Sequence, residues 1–260
     1  MKIGVCIKST PDTDARIKVL GDGSGIDPSG IKFIISPYDA YALEVGVQTK
    51  EKLMGEVVLY TVGDADVQKN LRDGLALGAD KAVHIDDPAA VASDALGVAR
   101  ALAAALKADG AEIVFTGKQA IDDDNVQVSA MIAELLGWPH VSFVTEFETD
   151  GSTFTATRNV GGGVEEVVKG NLPAVITADR GLNNPRYAKL PMIMKAKRKP
   201  LETRDLAALG LSADDVAPHV HVSAFGPPPD RPQGRIIEGD DVAAKVTELV
   251  RLLRDEAKVL

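Results

Sequence analysis

Apolar residues in this chain fall into two alternating rhythms. Short buried-looking runs, Ile3-Gly4-Val5-Cys6-Ile7, Val57-Val58-Leu59-Tyr60-Thr61, Ala82 to Ile85 and Ile113-Val114-Phe115, read as strands. Between them lie segments with helical spacing. Ser36-Pro37-Tyr38-Asp39 opens the first, with Ser as N-cap and Pro at the first helical position. A second runs from about Ala65 to Leu77 and stops at Gly78. An alanine-rich third has Ser93 as its expected N-cap and ends near Ala108. The order β-α-β-α-β-α with short connections predicts an α/β fold built on a doubly wound, mostly parallel sheet.

The chain turns on Gly117-Lys118-Gln119-Ala120-Ile121-Asp122-Asp123-Asp124-Asn125-Val126-Gln127-Val128. This stretch leads from a strand into a helix marked by Val128, Met131, Ile132, Leu135 and Leu136. Asp124 is the expected N-cap, with Gln127 three residues on as in a capping box. A loop from the carboxyl end of a strand to a helix N-terminus is where open α/β sheets hold ligands, and its amides favour an anion. Three aspartates are themselves favoured at a helix N-terminus, so plain capping competes with a phosphate site.

Elsewhere the pattern changes. Arg16 to Leu20 alternates and precedes a glycine-rich turn, which predicts a strand in a hairpin-like excursion. Ser142 to Phe147, Phe154 to Val160 and Val164 to Val168 predict antiparallel ribbons, and Ala174 to Thr177 a return to a buried strand. Pro185 and Pro191 disfavour helix and predict an extended segment that holds Leu190 outward, with folding back onto the core as the alternative. Gly226 to Arg235 reads as an extended tail. Asp240 to about Ala257 reads as a helix with Val242, Val246, Leu249, Val250 and Leu253 on one face, packing on its own body or on a partner. The division expected is a body over 1–225, with a protruding loop at about 178–200, and an arm and helix over 226–260.

Bulk properties narrow the function. In 260 residues, a net charge of −9 disfavours general nucleic-acid or anionic-membrane binding. Cys6 is the sole cysteine, so an internal disulfide and a cysteine-rich metal site are excluded. His219 and His221 read as one face of a strand rather than a metal pair. No apolar run reaches the ~18 residues of a bilayer span. The opening strand leaves no room for a leader, so a cytoplasmic (bacterial) protein with no signal or transit peptide is expected. No GxGxxG follows the first strand, and Lys8-Ser9-Thr10-Pro11 is no phosphate-gripping loop, which counts against an ATP-using hydrolase or ligase. A nucleotide-sensing module would be a colourless homodimer. Neither a catalytic triad order nor a metal cluster is present in the pattern.

Taken together, Gly117 to Asp124, Leu172-Pro173-Ala174-Val175-Ile176-Thr177-Ala178-Asp179, Ala156-x-Arg158 with the glycine run and Glu166, and Asn184-Pro185-Arg186-Tyr187-Ala188-x-Leu190-Pro191-x-Ile193-Met194-Lys195-Ala196-Lys197 resemble the β subunits of electron-transfer flavoproteins. The resemblance runs nearly end to end. One position departs, Gly161, where the family usually has an acidic residue. The resemblance implies a nucleotide-binding fold of the adenine-nucleotide α-hydrolase type and an electron carrier rather than an enzyme, with no catalytic residue of its own. It implies a heterodimer whose α subunit holds most of an FAD while the β subunit buries a structural AMP.

Carried over by position, the AMP site comprises Cys6, Ser36, Pro37, Tyr38, Asp39, Val62, Gly117, Lys118, Gln119, Ala120, Ile121, Asp122, Asp123, Asp124, Asn125, Val126, Gln127 and Val128. Its phosphate falls at Asn125 to Val128. Val126 and Val128 replace polar residues of the family, leaving Asn125, Gln127 and backbone amides. Tyr38 matches an aromatic position near the FAD, and Thr13 stands where a tyrosine often does. Bifurcating members hold a second FAD in the AMP site and carry glycine where this chain has Asp123; the resemblance therefore favours AMP. Leu190, Pro191, Met192, Ile193, Met194, Lys195 and Lys197 correspond to the loop that docks transiently into acyl-CoA dehydrogenases in fatty-acid oxidation. The implied electron acceptor is a membrane quinone oxidoreductase, met without membrane insertion.

Overall fold

The computed structural model describes residues 1–231 and 233–260. In chain order the strands and helices are β1 (Lys2–Cys6), β2 (Ser9–Pro11), β3 (Phe33–Ile35), α1 (Pro37–Leu53), β4 (Glu56–Val62), α2 (Gln68–Leu77), β5 (Lys81–Ile85), α3 (Pro88–Val91), α4 (Ala95–Asp109), β6 (Ile113–Gly117), α5 (Val128–Leu136), β7 (His140–Thr149), β8 (Thr153–Gly161), β9 (Val164–Asn171), β10 (Ala174–Ala178), α6 (Leu190–Ala196), β11 (Leu201–Arg204) and α7 (Val242–Asp255). Among the described residues, one nine-stranded sheet runs β11-β5-β4-β1-β6-β10-β7-β8-β9, and β2 pairs with β3 in a small antiparallel ribbon. The large sheet is parallel from β11 to β7 and antiparallel from β7 to β9. The doubly wound α/β prediction and the antiparallel ribbons are both observed.

Two apolar clusters account for the layers. Ile3, Val5 and Ile7 of the first strand and its exit pack with Ala42, Leu43, Leu71, Leu75, Phe115 and Ile176, so α1 and α2 cover one face. Val58, Tyr60, Val83 and Ile85 pack with Ala99, Leu102, Leu106 and Ile132, which puts α4 and α5 on the other. Strands buried on both faces explain why their sequences are apolar runs rather than alternations. β1 lies between β4 and β6, so the strand order leaves β1 in opposite directions. That is the topological switch point, and it opens a crevice at the carboxyl ends of these strands.

Several local expectations are corrected. Arg16 to Leu20 forms no strand; a single antiparallel bridge, Val19 with Ile26, closes the excursion. The alanine-rich helix is capped by Asp94 rather than Ser93, its carboxylate accepting from the Leu96 and Gly97 amides. A carboxylate at this position also meets the helix dipole, which a serine hydroxyl does only weakly. Ser93 instead donates to the Val216 carbonyl. His219 and His221 lie outside any strand, because the His219 and Val220 amides are taken by Asp94. The arm residues around Leu190 form the helix α6, with Pro191 in its first turn, where a missing N–H costs nothing.

The tail from Gly226 to Arg235 carries no regular structure in its described residues; Pro232, within it, lies outside them. The last helix spans Val242–Asp255, capped by Asp241. Of the expected apolar face, Val242, Val246, Leu249 and Val250 are exposed and Leu253 is half-buried; the buried residue of this helix is Leu252, which that face did not include. Among the described residues no helix is long and apolar enough to cross a membrane.

Candidate functional site

The crevice is built from backbone first. Asp39, in the first turn of α1, is buried and accepts from the Lys8 amide (2.7 Å) and the Gly117 amide (2.8 Å). One carboxylate thus ties the exits of β1 and β6 to the start of α1. Gly117 is required by this approach. A Cβ there would sit 2.7 Å from both the Asp39 nitrogen and the Tyr38 carbonyl carbon, closer than real contacts allow. Burial pushes the Asp39 carboxyl up to about 7, against the two amides that favour its charged form.

Two helix N-termini meet this crevice without side-chain caps. Ser36 caps α1 by position, yet its hydroxyl makes no capping bond and, fully buried, finds no partner among the described residues. The Thr10 hydroxyl, on β2 opposite Ile34, is likewise buried and without a partner among the described residues. α5 begins at Val128, with Gln127 as its cap and no side-chain bond to the first turn. The Asp124 capping box is therefore corrected: Asp124 has φ 50° and takes a bond from the Gln119 amide group instead. Val126, at φ 54°, is a β-branched residue in left-handed backbone, a strained position that a loop holds only when its surroundings enforce it. Downstream of it, no side chain among the described residues caps the first turn of α5.

The acidic loop is anchored by a cation that the pattern of the sequence did not single out. Lys8 Nζ reaches Asp122 Oδ1 and Asp123 Oδ2, each at 2.9 Å. Partial burial opposes the charge on Lys8, but the two carboxylates outweigh it and raise its pKa. Asp123 is correspondingly lowered; burial opposes this, and the Lys8 bond prevails. The only clue in the sequence was a lysine just past the first strand. Its partners lie more than a hundred residues on, so no local pattern shows the contact.

Lys118 turns away, pairing with Asp179 Oδ1 at 2.9 Å and lying over the rings of Tyr38 (4.9 Å) and Phe143 (5.3 Å). Ser129 Oγ and Thr116 Oγ1, 2.6 Å apart, link α5 to β6. Cys6 is buried at the tip of β1, and burial raises its thiol pKa. Val62 ends β4, two strands along the same crevice edge as Gly117. Ala120 to Asn125 form the half-exposed to exposed rim. Pro37 starts α1 beside Ser36. Thr13 is exposed in a turn beyond β2.

The recognition-loop residues sit apart from this crevice, on α6. Leu190, Ile193 and Met194 are exposed, Met192 is half-buried, and Pro191, Lys195 and Lys197 face solvent. Leu190, 73% exposed, does not fold back onto the core.

The model of the electron transfer flavoprotein domain matches residues 25–209. An electron transfer flavoprotein subunit beta of Bacillus subtilis is 38% identical over 266 residues, covering both chains fully. The chain belongs to the electron transfer flavoprotein β-subunit family. The subunit beta of Bradyrhizobium diazoefficiens is also 38% identical over the full length of both. That of Homo sapiens is 37% identical, over 97% of this chain and 99% of its own. The nine-stranded α/β architecture agrees with this family membership, and the resemblance carried by the 117–124 and 184–197 stretches is borne out at the level of family.

Proposed function

We propose that the chain is the β subunit of a heterodimeric electron-transfer flavoprotein. It holds AMP in the crevice at the β1, β4 and β6 tips and helps an α subunit hold FAD. Electrons pass from acyl-CoA-type dehydrogenases towards a membrane quinone oxidoreductase. FAD, when bound, supplies the electron-accepting and electron-donating chemistry; this chain contributes binding and orientation.

The observation that carries the AMP reading is the buried, unpartnered Ser36 hydroxyl beside two uncapped helix starts at the switch point. A buried hydroxyl without a partner is costly, and a ligand hydroxyl or phosphate relieves it. The exposed amides at the start of α5 suit a monophosphate. Asn125 to Val128 would hold that phosphate, while Cys6 and Val62 border the adenine through backbone. Lys8 offsets two of the three loop aspartates that would otherwise repel it, Asp122 and Asp123. Tyr38 lies on the Lys118 side of the crevice and would face the FAD, with Thr13 nearer the rim. Residues 1–225 would form the nucleotide-binding body, and 226–260 an arm carrying an apolar helix face to the α subunit.

The test is co-purification with the matching α-type chain, followed by denaturation and a count of released nucleotides. One FAD and one AMP per heterodimer are expected. Two FAD and no AMP would replace this reading with a bifurcating one. A colourless homodimer would remove the family role altogether.

A further inference from the structure

The segment that carries Leu190 is pinned at both ends to the body. At its start, the Arg186 guanidinium forks onto Glu44, with Nε to Oε2 at 2.8 Å and Nη2 to Oε1 at 3.0 Å. The same group reaches Glu51 with Nη1 to Oε1 at 2.7 Å and Nη2 to Oε2 at 3.1 Å, and the Arg186 amide also donates to Glu44. Both carboxylates belong to α1, and Glu44 is buried. Asn183 adds a bond from its amide group to the Tyr41 carbonyl on the same helix.

At the far end Ala196 is buried in the core, and Arg72 of α2 donates to the Ala196 (2.8 Å) and Lys199 (2.7 Å) carbonyls. Lys199 returns a bond to the Leu75 carbonyl at 2.9 Å. Between the pins, Tyr187 is 94% exposed and Met194 58%. An apolar surface this open is ordinarily mobile or folded inward. Here an anchor at each end holds it out, the Arg186 fork at the start and the Arg72 bonds at the finish.

We propose that Arg186 is a positioning residue: its fork onto Glu44 and Glu51 fixes the direction in which α6 presents Leu190, Ile193 and Met194 to an electron-donating dehydrogenase. The inference rests on the reading of this arm as the docking element. A pose set before contact spares the ordering cost that a loose arm meets on binding. Planar, bidentate geometry makes the residue arginine-specific, because a lysine supplies charge without the fork. Removing the charge would strand the buried Glu44, so the informative change is Arg186→Lys.

The experiment uses the heterodimer co-purified with its α-type chain and an acyl-CoA dehydrogenase with its acyl-CoA. Arg186→Lys is expected to raise the KM for the dehydrogenase about tenfold with kcat within about twofold, as loss of preorganised binding requires. FAD and AMP contents are expected to stay at the parental values. In a Leu190→Ala background the same change is expected to add less than about twofold, since it acts through Leu190. Glu51→Gln, at an exposed partner, is expected to give a smaller rise of about threefold and serves if Arg186→Lys misfolds. An unchanged KM in Arg186→Lys and Glu51→Gln, with Leu190→Ala still impaired, overturns the positioning role alone. So does a full tenfold addition in the Leu190→Ala background. An unchanged KM in Leu190→Ala overturns the docking reading beneath it.

Discussion

The crevice and the arm hang from the same helix and are built on opposite rules. At the start of α1, Asp39 is buried and spends its carboxylate on the amides of Lys8 and Gly117, so that polar groups are fixed inside the protein. Farther along α1, Glu44 and Glu51 grip Arg186, and the residues beyond it are apolar and left outside. A small anion is matched by backbone dipoles that must be held still before it arrives. A protein partner is matched by side chains whose burial is deferred until contact, each large apolar one worth roughly 1.5–3 kcal/mol when covered. Substitutions in the crevice are therefore expected to act on stability and nucleotide content. Substitutions on the arm are expected to act on partner kinetics.

The largest effect should come from Asp39→Ala. It leaves two buried amides without acceptors, at about 1–3 kcal/mol each. Urea unfolding is expected to show a loss of about 3 kcal/mol or more; a loss under about 1 kcal/mol would mean that the carboxylate is not the tie between β1, β6 and α1.

The same carboxyl makes a prediction about pH. Burial raises the native group from 3.8 to about 7. Between those values the native state keeps a proton that the unfolded chain has lost, so raising the pH favours unfolding. The stability of the parent relative to Asp39→Asn is expected to be greatest below about pH 4, to decline towards about pH 7, and to level off above. A flat or rising difference across that window would contradict the buried assignment.

Gly117→Ala comes next. The added carbon must displace the α1 backbone, which typically costs about 1–3 kcal/mol. AMP recovered from the heterodimer is expected to fall while FAD is retained, and equal AMP would place the ligand elsewhere.

Leu190→Ala has the smallest effect on stability and separates the two regions most cleanly. At an exposed site the change should stay within about 0.5 kcal/mol. The KM for the dehydrogenase should rise about tenfold, which corresponds to about 1.4 kcal/mol of lost contact. A stability loss with normal kinetics would show that the arm obeys the rule of the crevice.

The same contrast governs what could be read from the chain. The parallel body is legible because its buried strands are continuous apolar runs and α2, α4 and α5 each stop at a glycine, Gly78, Gly110 and Gly137. The Gly117 to Val128 stretch was legible as a strand-to-helix loop, but not in its start. Its helix waits until Val128 because Asp124 and Val126 adopt left-handed backbone, a choice set by the fold around them. β11 was missed because Leu201-Glu202-Thr203-Arg204 has a single apolar residue and pairs with β5, over a hundred residues earlier. Lys8 was missed for the same reason, since Asp122 and Asp123 are its neighbours only in space. Proline at 191 disfavours a helix when it stands in the interior, whereas in the first turn, where it sits here, it favours one. Anchors such as Arg186 with Glu44 join segments 142 residues apart and carry no local signature.

The most direct test of the central claim is a crystal structure of the heterodimer purified from cells with no nucleotide added. The account predicts an adenylate in the crevice, its phosphate on the amides that open α5 and its sugar or phosphate satisfying the Ser36 hydroxyl. A crevice closed by its own side chains, with the Ser36 hydroxyl bonded to protein and the α5 amides covered, would contradict it.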